Sequence, residues 1–289
     1  MGKILIIVDR EGTGSALPRG LELAGRLGLD AEVCAFVHAQ LGQLKLQGAG
    51  RSSIKSHLLA KRKEELEAAV DKLRAGKQKV RLRVLWEQDV SHWVCERCAD
   101  EAFEFVVKTG QRSETLMHTS TDWTLLRECA APVLIVADNK WRNTAPVLAA
   151  LDLTATSATK KKLNDAILRE AVELAQAMGE KINIIAAVEV PALLKELDLV
   201  DPGKYVSDAR EAMAGQIATL ARRYALSEKL FKVKRGPVEK VIASEAAARR
   251  AQIVVMGCVG RKGVRAKLLG NTAEKVLAHL HTDILALKP

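Results

Sequence analysis

A chain of 289 residues, 48% hydrophobic and 28% charged, has material for one large domain or two of ordinary size, and with 3% aromatics its core must be mostly aliphatic. No apolar run approaches the length of a membrane span, and five scattered cysteines (Cys34, Cys95, Cys98, Cys129, Cys258) argue against a secreted disulfide framework. The net charge of +10 would suit an acidic partner, but Lys and Arg are spread over helix-like segments and few aromatics are available to stack on bases, so nucleic acid is not the expected partner.

In chain order, Ile4–Val8 reads as a strand ending at Asp9, with no basic-then-apolar leader before it, and a cytoplasmic location is expected. A helix follows from about Pro18, then a strand over Ala31–His38. Ser52–Ala75 reads as a long charged helix with Leu58, Leu59, Leu66, Val70 and Leu73 as its apolar stripe. Val80–Leu85 alternates like a strand, Val90–Ala102 is helical, and Phe105–Val107 is a short buried strand. A helix near Trp123–Cys129 and the strand Val133–Val136 complete this half.

A polar link, Asp138–Thr144, precedes a restart of the same pattern. Val147–Leu151 is a strand ending at Asp152, Lys160–Met178 a helix with Leu163, Ile167, Ala171 and Leu174 on one face, and Ile182–Val188 a strand. Pro191–Gly203 reads as a connection. Ser207–Tyr224, Val238–Arg250 and Asn271–His281 read as helices, and Phe231–Val233, Ile253–Met256 and Ile284–Leu287 as strands. The order β-α-β-α-β-α-β-α-β thus occurs twice, and Asp9 matches Asp152. Alternating strands and helices imply parallel sheets covered on both faces. The expected fold is α/β: two tandem doubly wound domains, 1–140 and 145–289, each a five-stranded parallel sheet.

The most informative stretch is Met256–Leu277, where Gly257, Gly260, Gly263 and Gly270 lie between the strand at Ile253 and the last helix. A strand, a glycine-bearing loop and a helix start provide close backbone approach and free N–H groups for an anion. No Gly-Lys-Ser/Thr closes the loop as in a Walker A motif, and the glycines are not packed into one tight turn as in a dinucleotide fingerprint. Gly-x2-Gly-x9-Gly, with Arg261 inside the loop and Leu268-Leu269 before Gly270, resembles the nucleotide-binding motif of the universal stress protein family. Asn271 stands where that family has Ser or Thr, with Thr272 next. Over its full length the chain resembles a tandem universal stress protein, two adenine-nucleotide α-hydrolase-like domains, with GNTAEKVL and TSTDWTLLREC closest to the E type.

The resemblance implies a stress-response protein holding ATP or a related adenine nucleotide in its second half, with or without Mg²⁺. Asp152 and Val188 would lie at the adenine, Gly257 and Gly260 along the ribose and first phosphate, and Gly270, Asn271 and Thr272 at the outer phosphates, with Arg261 in the loop as a candidate charge partner. It also implies that the halves pair with each other within the chain, further pairing of whole chains being left open. In the first half, Lys108 falls opposite Gly257 and Thr119–Thr121 opposite Gly270–Thr272, with Gly110 the sole glycine of the loop. A backbone-hugging pyrophosphate is not expected there; an apolar or lipid-like metabolite in that crevice is the alternative.

No Ser-His-acid or paired-carboxylate arrangement is visible, nor the signatures of adenylyl-transferring enzymes, so a regulator or interaction module is expected, with slow ATP hydrolysis at most and a weak ATPase as a further alternative. His92, Cys95 and Cys98 share a helical face, but three ligands on one helix lack the geometry of a structural metal site, and buried apolar cysteines are the expectation. His38, at a strand end, and His118, in a loop, are expected to be solvated unless they touch a first-half ligand.

Overall fold

The computed structural model describes the chain outside residues 1, 42–47, 75, 77, 111–119, 138–144, 192, 195–196, 198–199 and 259–270. The link 138–144, His118 and most of the glycine-bearing loop therefore lie outside the described residues. Two compact units result, 1–140 and 141–289.

The first unit runs β1 (Lys3–Val8), α1 (Ala16–Leu27), β2 (Asp30–Val37), α2 (Gly48–Leu73), β3 (Val80–Trp86), α3 (Val90–Asp100), β4 (Val106–Thr109), α4 (Ser120–Glu128) and β5 (Val133–Val136). Its strands pair in the order β3-β2-β1-β4-β5, all in parallel. The second runs β6 (Val147–Ala150), α5 (Ala158–Met178), β7 (Ile182–Val188), α6 (Pro202–Arg223), β8 (Phe231–Arg235), α7 (Val238–Ala248), β9 (Ile253–Gly257), α8 (Asn271–His279) and β10 (Asp283–Leu287). It repeats the parallel order as β8-β7-β6-β9-β10. The α/β, doubly wound fold is the one the alternating pattern implied.

The inner strands are buried along their length, as strands sandwiched between helix layers must be. Ile4, Leu5 and Ile6 are wholly excluded from solvent, each stabilising the fold by about 1.5–3 kcal/mol. α1 approaches β1 closely at Gly20, where a Cβ would lie 2.6 Å from Ile6 Cδ1. α1 and α5 stop in the same way: Gly28 and Gly179 turn left-handed (φ +66° and +69°) and return their N–H groups to the last turn.

Two helices begin a full turn or more earlier than the sequence pattern suggested. α6 starts at Pro202 rather than Ser207, because Asp201 caps it by accepting from Lys204 N at 2.6 Å and Pro202 occupies the first turn. α2 starts at Gly48, ahead of Ser52.

In both units a polar tie joins the second strand to the third helix. In the first, Glu32 on β2, 2% exposed, accepts from Arg97 of α3 at 3.0 and 2.9 Å and pairs with Arg83 of β3 at 2.9 Å. Arg97 also holds Glu101, one turn on. In the second, Arg249, just past α7, donates to Asn183 of β7 at 2.8 Å and to Glu245 at 3.1 Å, and Lys234 of β8 also pairs with Glu245. Burial pushes both buried carboxyls up, but their basic partners outweigh it and hold Glu32 and Glu245 below the usual carboxylate value.

Candidate functional site

In an open parallel sheet, ligands bind beyond the carboxyl ends of the strands where the order reverses. In the second unit that reversal lies between β6 and β9. There the chain forms a cavity of about 520 Å³, within the range of small-molecule sites. Asp152 after β6, Val188 ending β7 and Gly257 ending β9 all line it. Leu163 and Ile167 of α5, with Ile242 of α7, add an aliphatic wall, and α6 contributes Tyr205 and Ala209. Gly257 is needed for this shape: a Cβ there would sit 2.7 Å from Leu163 Cδ2 and 3.3 Å from Ile167 Cδ1.

Asp152 is the polar centre of the rim. Asn164, buried in α5, fixes its backbone from both sides, accepting from Asp152 N at 3.0 Å and donating to Asp152 O at 2.8 Å. The carboxylate accepts from the Thr154 hydroxyl at 2.6 Å and pairs with Lys160 Nζ at 2.9 Å. Burial alone would raise its pKa, but these two partners outweigh that and hold it below the usual aspartate value. At neutral pH the rim therefore presents a fixed carboxylate paired with Lys160.

The counterpart crevice of the first unit is built differently. Ile7, two residues before Asp9, pairs with Lys108, and Ala150, two residues before Asp152, pairs with Met256. Lys108 is thus the counterpart of Met256, and Thr109 that of Gly257. This corrects by one residue the alignment expected from sequence, which set Lys108 opposite Gly257. The third residue of α4 is Asp122, and that of α8 is Ala273. Met256 and Ala273 line the cavity, whereas Lys108 and Asp122 form an ion pair at 2.6 Å with side chains 8% and 0% exposed. The loop after β1 is also tied down: Arg62 Nη2 of α2 donates to the carbonyls of Asp9 and Gly12, each at 2.6 Å. Thr109 Oγ1 accepts from Ala16 N at 3.0 Å, and Gly14, at φ +58°, lies so close to Asp9 and Thr109 that a Cβ would strike both.

Of the other residues singled out, Asn271 and Thr272 open α8, while Gly260, Arg261 and Gly270 lie outside the described residues. His92 is exposed and faces Glu96 at 3.1 Å. Cys98 is buried and shares a thiol hydrogen bond with Cys129, which together with burial pushes its pKa up. Among the described residues no group of three or more His, Cys, Asp and Glu side chains could hold a metal ion. His38 packs against Trp86, ring centroids 5.8 Å apart. Sequence reading missed Asn164, Lys160 and Tyr205. Asn164 carried a signal, an amide beside the apolar stripe of a helix; Lys160 did not stand out among three consecutive lysines.

The model of the Universal stress protein family matches residues 147–288, from the start of β6 almost to the end of the chain. Universal stress protein E of Escherichia coli (strain K12) is 31% identical over 216 residues, covering 73% of this chain and 68% of that protein. The universal stress protein E homolog of Haemophilus influenzae is 27% identical over 252 residues, 84% of this chain and 81% of the relative. A functionally unknown protein from Pseudomonas aeruginosa PAO1 shares the fold, with a TM-score of 0.71 at 23% identity over 99% of this chain and 92% of that one. The E-type alignments are longer than either unit, so the kinship is not confined to the segment the family model matches. The chain belongs to the universal stress protein family, and its curated relatives are of the E type.

Proposed function

We propose that this stress-response protein holds ATP or a related adenine nucleotide in the cavity of its second unit and acts as a nucleotide-dependent regulator or interaction module. The observation that carries the reading is the meeting of Asp152, Val188 and Gly257 in one cavity at the point of strand reversal. The aliphatic walls suit a planar base, and the Asp152 carboxylate suits an amine or ribose hydroxyl. Asn271 and Thr272, at the start of α8, offer backbone N–H groups to phosphate oxygens, a fit favoured by the helix dipole. The site fits such a ligand, with Arg261 and Gly270 as further expected contacts.

The buried Lys108–Asp122 pair in the first unit supports one nucleotide per chain rather than two. The same pair, with Arg62 across the loop, gives that crevice charged rather than apolar walls, so no observation favours the lipid-like alternative. Calorimetric titration of ligand-free protein with ATP tests the proposal. One site per chain, weakened by Asp152→Ala and unaffected by Asp9→Ala, is expected. No binding, or two equivalent sites, would overturn it.

A further inference from the structure

Among the described residues lining the second-unit cavity, Tyr205 is the sole aromatic. It stands at the start of a stripe on α6 that continues through Ala209, Met213, Ile217 and Leu220, at the spacing of one helix face. The later members are buried against the unit: Met213 is 3%, Ile217 8% and Leu220 6% exposed. The first two members instead face the cavity and remain only partly covered. The helix thus presents a core-type face whose leading end covers space.

That leading end is held in place. Asp201 caps the first turn, Tyr205 N donates to Asp201 O at 2.9 Å, and Arg210 Nη2 ties the helix to the Val233 carbonyl of β8 at 3.2 Å. The chain's other tyrosine, Tyr224, sits just past the opposite end of α6 and donates its hydroxyl to the Asp165 carbonyl at 3.0 Å. The side chain of Tyr205 makes no hydrogen bond and no ring contact with another described residue. Ala209, one turn on, takes little room beside the ring.

We propose that Tyr205 is a specificity-determining residue whose ring stacks on the planar base of the bound nucleotide, closing the face of the cavity that the sheet and α5 leave open. The inference rests on the nucleotide reading above. An aromatic ring anchored on a capped helix turn brings stacking area at little entropic cost, because only two side-chain torsions must be fixed. Base–aromatic stacking is lost on substitution by alanine with a decrease in affinity of roughly 5- to 150-fold.

The test is titration of wild type, Tyr205→Ala and Tyr205→Phe with ATP, and with inorganic tripolyphosphate as a probe that lacks a base. Stacking predicts that Tyr205→Ala weakens ATP binding by that factor, that Tyr205→Phe stays within about twofold of wild type, and that tripolyphosphate binding is the same in all three. Wild-type ATP binding left unchanged by Tyr205→Ala would refute the stacking role and spare the nucleotide reading. Equal losses in the Ala and Phe variants would refute it in favour of the hydroxyl. Failure of wild type to bind ATP would overturn both.

Discussion

The buried pair Lys108–Asp122 should be worth far more as a pair than either member alone. With Nζ and Oδ1 2.6 Å apart and both side chains almost solvent-free, deleting one partner strands a charge where water cannot reach it. Asp122→Ala, or Lys108→Met alone, should cost about 3–5 kcal/mol. At roughly 2–4 °C per kcal/mol for a unit of this size, the melting temperature should drop by about 6–20 °C. The double substitution Lys108→Met/Asp122→Ala installs the Met and Ala that the second unit carries at its counterparts, Met256 and Ala273, and removes both charges. It should recover most of the loss, since apolar replacement of a whole buried pair is often neutral. Differential scanning calorimetry of the four proteins closes the double-mutant cycle. If the single losses simply add in the double variant, the two groups are not coupled and the ion pair does not fill the first crevice as argued.

The carboxyls of Glu32 and Glu245 are held below their ordinary pKa, so the unfolded chain takes up protons first as pH falls. Their stabilisation is full above the unfolded value of about 4.3 and is lost as pH drops through the lower folded values; melting curves of Glu32→Gln and Glu245→Gln should therefore depend less on pH in the acid range than wild type. Exchanging Arg97→Glu and Glu101→Arg would set a new carboxylate against Glu32, so the pair should unfold the first unit by circular dichroism, and adding Glu32→Asn should rescue it. Gly257→Val should press on Leu163 and Ile167 and weaken ATP binding at least tenfold, about the effect of 1.4 kcal/mol, in a calorimetric titration. A single-turnover assay with labelled ATP should find the nucleotide intact for hours, because Asp152 is already engaged by Thr154 and Lys160 rather than free to orient water; cleavage within seconds would refute this.

The strands were legible because a parallel sheet buried on both faces demands uninterrupted aliphatic runs, and ILIIV, VLIV and IVVM are such runs. The start of α6 was not, since Asp201-Pro202 serves equally as a turn and as a cap, and only the hydrogen bond to Lys204 N decides between them. The floor of the site was legible at Asp152, Val188 and Gly257 because these follow from where strands end. Its walls were not. Leu163, Ile167, Tyr205 and Ala209 sit on helix faces with ordinary amphipathic spacing, and a face turned toward a cavity has the same period as one turned toward a core. The register slip at Lys108 has a related cause: a lysine ending a strand looks like a solvent-facing boundary, yet here it is drawn inward by Asp122, distant in sequence but adjacent in the fold.

The two units have diverged unevenly, and the pattern separates structure from ligand. Counting from Val90 and Val238, which open α3 and α7, Arg97 and Glu101 correspond to Glu245 and Arg249, while Glu32 corresponds to Asn183. Acid and base have changed places along the helix. The strand residue has changed from carboxylate to amide, and in each unit an arginine still reaches from the helix side to the second strand. A tie of this kind tolerates exchange because it needs only complementary partners at a fixed separation. The crevice positions behave otherwise. Met256 and Ala273 keep space open, and replacing them by Lys108 and Asp122 fills it with a buried ion pair whose lysine also donates to the Thr109 carbonyl at 2.9 Å. Such a replacement preserves the packing of strand against helix and gives up the cavity. The first unit thus fills this crevice with its own side chains, whereas the second keeps open walls and a Tyr205 ring that has no hydrogen bond or ring partner among the described residues.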